Sequence, residues 1–219
     1  MQKILVGFPL YHQVPANWFT RWESLDRTHL AGTVVINGAY LITAMNMMAD
    51  MALKTEGEWD RLLVYEHDMI PPTDAITRMA HYGDEHDIVG CMYFSHTPPH
   101  FAFAYIEHDD GDTCPLSPAT VQEWCDKPGI YRVSSVGFGL TSISRRVLEN
   151  WDPSIPMFAQ DDRWGSHDLW FCKKARDQGF KVFVDSGIVC GHLSRMSVGL
   201  ADNQAHAHTV TNVREFSLS

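Results

Sequence analysis

Residues 62–72, Leu-Leu-Val-Tyr-Glu-His-Asp-Met-Ile-Pro-Pro, set the tightest limit on what this chain can fold into. An apolar run suited to a buried strand reaches two acids one residue apart, Glu66 and Asp68, and stops at Pro71-Pro72. Side chains on a strand alternate faces, so the spacing predicts that both carboxylates project from one face. Two carboxylates at the end of such a strand add nothing to a hydrophobic core. They are suited to holding a hard divalent cation against a phosphate.

The segments on either side define the layers. Residues 3–10 (KILVGFPL), 33–36 (TVVI) and 87–94 (DIVGCMYF) read as buried strands. Between them lie helical spacings: Trp18, Phe19, Trp22 and Leu25, then Leu41, Met45, Met48 and Ala52. After Pro72 the stretch TDAITRMAHY predicts a third helix, with Thr73 as its N-cap. Strand and helix therefore alternate, which predicts an α/β single domain on a central, mostly parallel sheet flanked by helices. In such sheets ligands gather at the carboxyl ends of strands, where Pro9 and Asp68 both fall.

Beyond residue 95 the pattern loosens. Prolines and the acids of 107–112 predict loops, with a strand over 101–106 and a solvated hairpin tip at Asp109, Asp110 and Asp112. Residues 131–147 begin as a strand, turn at Gly137-Phe138-Gly139 and run toward a helix. A later helix starts at Ser166 and stops at Gly179, which puts Asp168 in its first turn. Taken by itself, that aspartate complements the helix dipole. Residues 181–185 predict one more strand, leading to Gly191-His192. The stretch from 193 to 219 has little apolar periodicity and reads equally as an exposed tail or a lid.

Bulk properties exclude several classes. The 219 residues suffice for a sizeable core, and no apolar run approaches the roughly 20 residues of a membrane-spanning helix. The N-terminus runs straight into a strand with no signal-peptide layout, so the expected compartment is cytoplasmic. A formal net charge of -10 argues against a non-specific nucleic-acid surface. It also disfavours a diphosphate ligand unless a dication accompanies it. Five cysteines without a Cys-x-x-Cys pair suggest neither a disulfide framework nor a zinc knuckle.

A strand, acid-x-acid and then Met-x-Pro-Pro resembles the metal-binding signature of glycosyltransferases with the GT-A fold, here with Glu66 at the first acid position. The resemblance extends over about residues 3–192 through Asp68, Asp168 and His192 in the family's order. It implies a Rossmann-like GT-A catalytic domain over 1–195. Residues 1–95 would bind the nucleotide sugar, 96–195 would face the acceptor, and 196–219 would be a tail or lid. It implies Pro9 and Tyr11 beside the nucleotide base, Glu66 on the ribose or a metal-bound water, and Asp68 and His192 on Mn²⁺ (or Mg²⁺). The glycine pair at 137 and 139 would lie beneath the acceptor. Asp168 would be the catalytic group: general base on the acceptor hydroxyl if the enzyme inverts, acceptor-orienting if it retains. The chain departs from the family at Met45 and Asn46, where an arginine often faces the donor, and at His167, where a glutamate is common.

The implied reaction moves a sugar from a nucleotide-diphosphate sugar to an acceptor hydroxyl. The size is similar to small bacteriophage glycosyltransferases, whose acceptors include proteins, glycans and modified nucleobases; the acidic charge favours protein or glycan. Two alternatives share the same groups. One is a metal-dependent nucleotide-sugar hydrolase or nucleotidyltransferase, the other a non-catalytic nucleotide-sugar binding module.

Overall fold

A computed structural model describes residues 1–11, 14–108, 113–160 and 165–193, with the backbone of Ser197–Val198. The first half runs β1 (Ile4–Leu10), α1 (Ala16–Ser24), β2 (Leu30–Asn37), α2 (Leu41–Lys54), β3 (Arg61–Tyr65), β4 (Met69–Ile70), α3 (Ala75–Met79) and β5 (Ile88–Met92). Then follow β6 (Ala104–Glu107), β7 (Thr113–Pro115), α4 (Pro118–Asp126), β8 (Ile130–Val133), β9 (Ser135–Val136), β10 (Leu140–Ser144) and α5 (Arg145–Glu149). The chain continues through α6 (His167–Asp177), β11 (Val182–Val189), β12 (Gly191–Leu193) and β13 (Ser197–Val198).

A seven-stranded sheet in the order β2-β1-β3-β10-β5-β11-β8 forms the middle layer. β2, β1, β3, β5 and β11 run one way; β10 and β8 run against them. The mostly parallel α/β domain expected from the alternation is what forms. Two three-stranded sheets, β13-β12-β4 and β7-β6-β9, are added at its margins.

The strands are apolar on both faces because helices cover both. Leu5, Leu62 and Val64 pack with Met45, Met48 and Ala52 of α2, while Ile4, Val6, Phe8, Leu63 and Tyr65 pack with Trp18 of α1 and Ile76 of α3. Neighbouring residues thus serve opposite cores, as strand alternation requires. At Gly7 any Cβ would run into the Met48 side chain, so glycine is what lets α2 lie this close to β1.

Three local expectations change. β3 ends at Tyr65, and Glu66 to Asp68 form a turn into β4, so the acids do not share a strand face. The turn is held because Glu66 N–H donates to Gly139 O at 2.9 Å and Met69 N–H returns to Glu66 O at 3.3 Å. α3 is one short turn, and the residue before it is Asp74, not Thr73, with no side-chain cap. Thr73 instead offers its carbonyl to Asp26 N–H at 2.7 Å. The segment after the glycine pair is first a central strand, β10, and only then a helix. Its buried hydroxyls are satisfied: Thr141 Oγ1 donates to Gly137 O at 2.8 Å, and Ser142 Oγ accepts from Arg61 Nε at 2.6 Å. The expected hairpin tip at Asp109, Asp110 and Asp112 lies outside the described residues. No described helix is long and apolar enough to cross a membrane.

Candidate metal centre

The site sits at the carboxyl end of β3, where the turn carrying Glu66, His67 and Asp68 is clamped from two sides. Trp18 Nε1 donates to Glu66 O at 2.9 Å, and Leu193 N–H donates to Asp68 O at 2.6 Å. The second bond extends the β4–β12 pairing, in which His192 lies opposite Met69. A Cβ on Gly139 would come within 2.6 Å of Met69 Sδ, so this glycine allows the close approach beneath the turn.

The consequence is convergence of residues remote in sequence. His192 Nε2 stands 3.3 Å from Asp68 Oδ2, while His192 Nδ1 is 2.7 Å from Phe94 O. A carbonyl only accepts, so Nδ1 carries the proton. In the neutral ring, the Nε2 lone pair then faces a carboxylate oxygen. Two acceptors hold that arrangement only with a proton or a metal cation between them.

A third group joins from the loop after β5. His96 Nε2 is 3.9 Å from Asp68 Oδ2, and its ring centroid is 3.5 Å from that of His192. Asp68, His96 and His192 each offer one ligand atom, and these atoms all lie within 4.8 Å of one another. Asp68 Oδ1 and His96 Nδ1 are buried without a hydrogen-bond partner. A carboxylate oxygen and an imidazole nitrogen left buried without partners, beside the His192 ring, fit a divalent cation. The backbone carbonyl on His192 Nδ1 fixes the ring that would ligate it.

Without the cation, the groups of the cluster act on one another. Burial and the neighbouring His192 push His96 below the ordinary imidazole range, against the pull of Asp68, favouring the neutral, ligating form. Burial opposes ionisation of Asp68, but the hydrogen bond and charge of His192 and the charge of His67 outweigh it and hold the carboxyl low. Glu66 behaves oppositely. Burial, with the charges of Asp68 and Asp168 beside it, pushes its carboxyl up to about 8.

Asp168 is therefore close enough to Glu66 to be felt by it. It is nearly buried in the first turn of α6, where Oδ1 accepts from Leu169 N–H at 2.9 Å and from the Ser166 hydroxyl. The expected N-cap serine thus holds the aspartate and makes no side-chain bond to the helix backbone. Pro9 is buried in β1, paired with Ile36, and Tyr11 follows at the strand's carboxyl end with its ring 5.7 Å from Tyr40. Asn46, at a departure from the family, clips another loop: Oδ1 accepts from Phe158 N–H at 3.1 Å and Nδ2 donates to Phe158 O at 2.8 Å. Met45 is core. His206, His208 and Arg195 lie outside the described residues.

Of the residues expected at the site, Asp68 and His192 meet directly, and Asp168 lies within electrostatic reach of Glu66. His96 was not foreseen. Its only signal is its place just past a strand's carboxyl end, in the Ser-His-Thr-Pro-Pro segment.

No protein-family model matches the chain, and no curated protein matches it. Among solved structures, A197 from STIV superposes with a TM-score of 0.66 at 17% identity, covering 91% of each chain. GalNAc-T7 with UDP, GalNAc and Mn²⁺ superposes with a TM-score of 0.56 at 14% identity, over 90% of this chain and 44% of that one. The chain has a glycosyltransferase-like fold. At these identities the likeness carries the fold alone. The case for a metal stands separately, on the cluster of Asp68, His96 and His192.

Proposed function

We propose that the protein is a metal-dependent glycosyltransferase that moves a sugar from a nucleotide-diphosphate sugar to an acceptor hydroxyl. The observation that carries this reading is the meeting of Asp68, His96 and His192, from three separate segments, at the carboxyl end of β3 in a glycosyltransferase-like fold. These three residues would hold the cation. One carboxylate with two imidazoles suits Mn²⁺ better than Mg²⁺. When bound, the ion supplies Lewis-acid neutralisation of the charge that develops on a diphosphate leaving group.

The chain's own groups have separate tasks. Phe94 O and Asp68 orient the His192 ring. Glu66, whose carboxyl burial pushes up to about 8 in the metal-free protein, is the group offered to the donor ribose or to a metal-bound water. Pro9 and Tyr11 border the nucleotide base. Asp168 faces the acceptor: Ser166 and Leu169 both occupy Oδ1, so Oδ2 is the atom offered to the hydroxyl proton in an inverting reaction. Protein or glycan is the acceptor class that fits a formal charge of -10.

The test incubates the protein with a panel of nucleotide sugars and Mn²⁺, with and without glycan and peptide acceptors. Sugar-bearing acceptor and free nucleoside diphosphate are the expected products. Sugar phosphate and nucleoside monophosphate, formed equally without acceptor, would identify a hydrolase. Donor binding without turnover would identify a binding module. A thermal shift by nucleoside diphosphate that survives a chelator would overturn the metal assignment.

A further inference from the structure

At one end of the central sheet lies β2, eight residues (LAGTVVIN) paired, among the described residues, to β1 only, with no charged residue and no proline. The opposite end is built differently. β8 has four residues and carries Arg132, whose guanidinium lies over Phe183 at 5.7 Å. Charges, prolines and short length are the usual protection of a strand edge against pairing with another chain. β8 has two of these, and β2 has none.

The helices beside β2 are also apolar where they overhang it. In α2 the buried stripe is Met45, Met48 and Ala52, and Asn46 reaches inward to Phe158. At about 100° per residue, Met47 and Met51 fall on the other flank of that stripe, toward the β2 edge. Both are 45% exposed. In the other layer Val35 stands in register beside Phe8, which α1 covers, yet Val35 is 50% exposed, and Phe19 of α1 is 57% exposed. The open edge is thus flanked by apolar side chains above and below.

We infer that β2 is the interface of a homodimer in which two copies join antiparallel through this strand. A two-fold axis perpendicular to the sheet keeps the layers in place: α2 meets α2 of the second copy, and α1 meets α1. Met47 and Met51 then face their own counterparts, as do Val35 and Phe19. A second copy is the occupant that matches apolar to apolar in both layers at once. The charge also fits, because a chain of formal net charge -10 meets itself along a strand that carries none of that charge. Antiparallel joining sends the carboxyl ends of the two sheets in opposite directions, so both metal centres stay open.

Sedimentation velocity of the full chain over a dilution series tests this. The expected wild-type species has twice the 24.9 kDa chain mass. Val35→Lys and, separately, the pair Met47→Glu with Met51→Glu are each expected to give the monomer with unchanged circular dichroism, since all three side chains are exposed in the single chain, and a melting temperature that no longer rises with concentration as the wild type's does. Arg132→Ala, at the other edge, is expected to leave the dimer intact. A wild-type monomer at every concentration, or a dimer that survives in both edge variants, overturns the proposal.

Discussion

His192 Nε2 and Asp68 Oδ2 lie 3.3 Å apart although 124 positions separate them in the chain. Two features bring them together: Phe94 O holds the far nitrogen of the ring, and the β4–β12 pairing holds the backbone of both. A preorganised site of this kind should bind metal before any donor arrives. Titration of the metal-free protein with Mn²⁺ by calorimetry is expected to show one site. His96→Ala, His192→Ala and Asp68→Asn are each expected to weaken it by at least about tenfold, since altering even a supporting group around a metal costs about 10–100-fold. His96→Ala binding Mn²⁺ as the wild type does would remove His96 from the set.

Acid stability should report on Asp26. Its carboxylate accepts from Thr28 N–H at 3.0 Å, the Thr28 hydroxyl at 2.6 Å and the Thr77 hydroxyl at 2.6 Å, joining the α1–β2 turn to α3. Those hydrogen bonds hold its pKa at about 2, below the ordinary 3.8. A carboxyl lowered on folding contributes stability that is present above its unfolded pKa and is lost as pH falls through the folded one. The contribution should therefore disappear between about pH 4 and 2. In urea unfolding at a series of pH values, Asp26→Asn is expected to be less stable than wild type at pH 7 and to converge with it at the acid end.

The fully buried Arg61 should be costly to truncate. Its Nε donates to Ser142 Oγ at 2.6 Å and its Nη2 to His86 O at 2.7 Å, with the guanidinium 5.5 Å over Tyr82. Burial lowers its pKa to about 10, so it remains charged at neutral pH. Arg61→Ala leaves a cavity and strands those acceptors, and is expected to cost about 3 kcal/mol or more in chemical denaturation. Arg61→Lys lacks the planar fork and is expected to recover only part of it.

Gly7 and Met48 should be energetically coupled. Gly7→Ala drives a methyl into Met48 and is expected to cost about 1–3 kcal/mol, and Met48→Ala about 2–5 kcal/mol. The double variant relieves the clash, so its loss should fall short of the sum of the two. Strict additivity in urea unfolding would mean that α2 shifts away from β1 freely.

Much of this architecture could be read from residue pattern. The α2 boundaries, Leu41–Lys54, follow from an apolar stripe long enough to be unambiguous, and β1 and β3 follow from runs buried on both faces. The acid-x-acid spacing suggested a shared strand face, but spacing cannot say where pairing stops. Glu66 N–H still bonds Gly139 O, over seventy positions away and in line with the β3–β10 pairing, and the chain turns where Met69 N–H closes back on Glu66 O. β10 was obscured for a similar reason: its Thr141 and Ser142 look like surface residues until Gly137 O and Arg61 are seen to satisfy them. His96 was hidden because a histidine in a Pro-rich loop resembles any solvated loop residue. Only the pairing of β5 with β10 and β11 brings that loop beside β12.

Asp168 offers the sharpest separation of catalysis from binding. Its Oδ1 is occupied by Ser166 and Leu169, and it is not among the residues clustered for a metal. Asp168→Asn preserves shape and the Leu169 bond while removing the basic oxygen. If the reaction inverts, this variant should keep Mn²⁺ and donor affinity and lose about 10²–10⁴-fold in kcat, the usual contribution of a general base. Ser166→Ala leaves the carboxylate in place but less well aimed, so it should lose less in kcat and leave Mn²⁺ and donor affinity unchanged. Equal losses in both variants, together with weakened donor binding, would show that Asp168 only supports the first turn of α6.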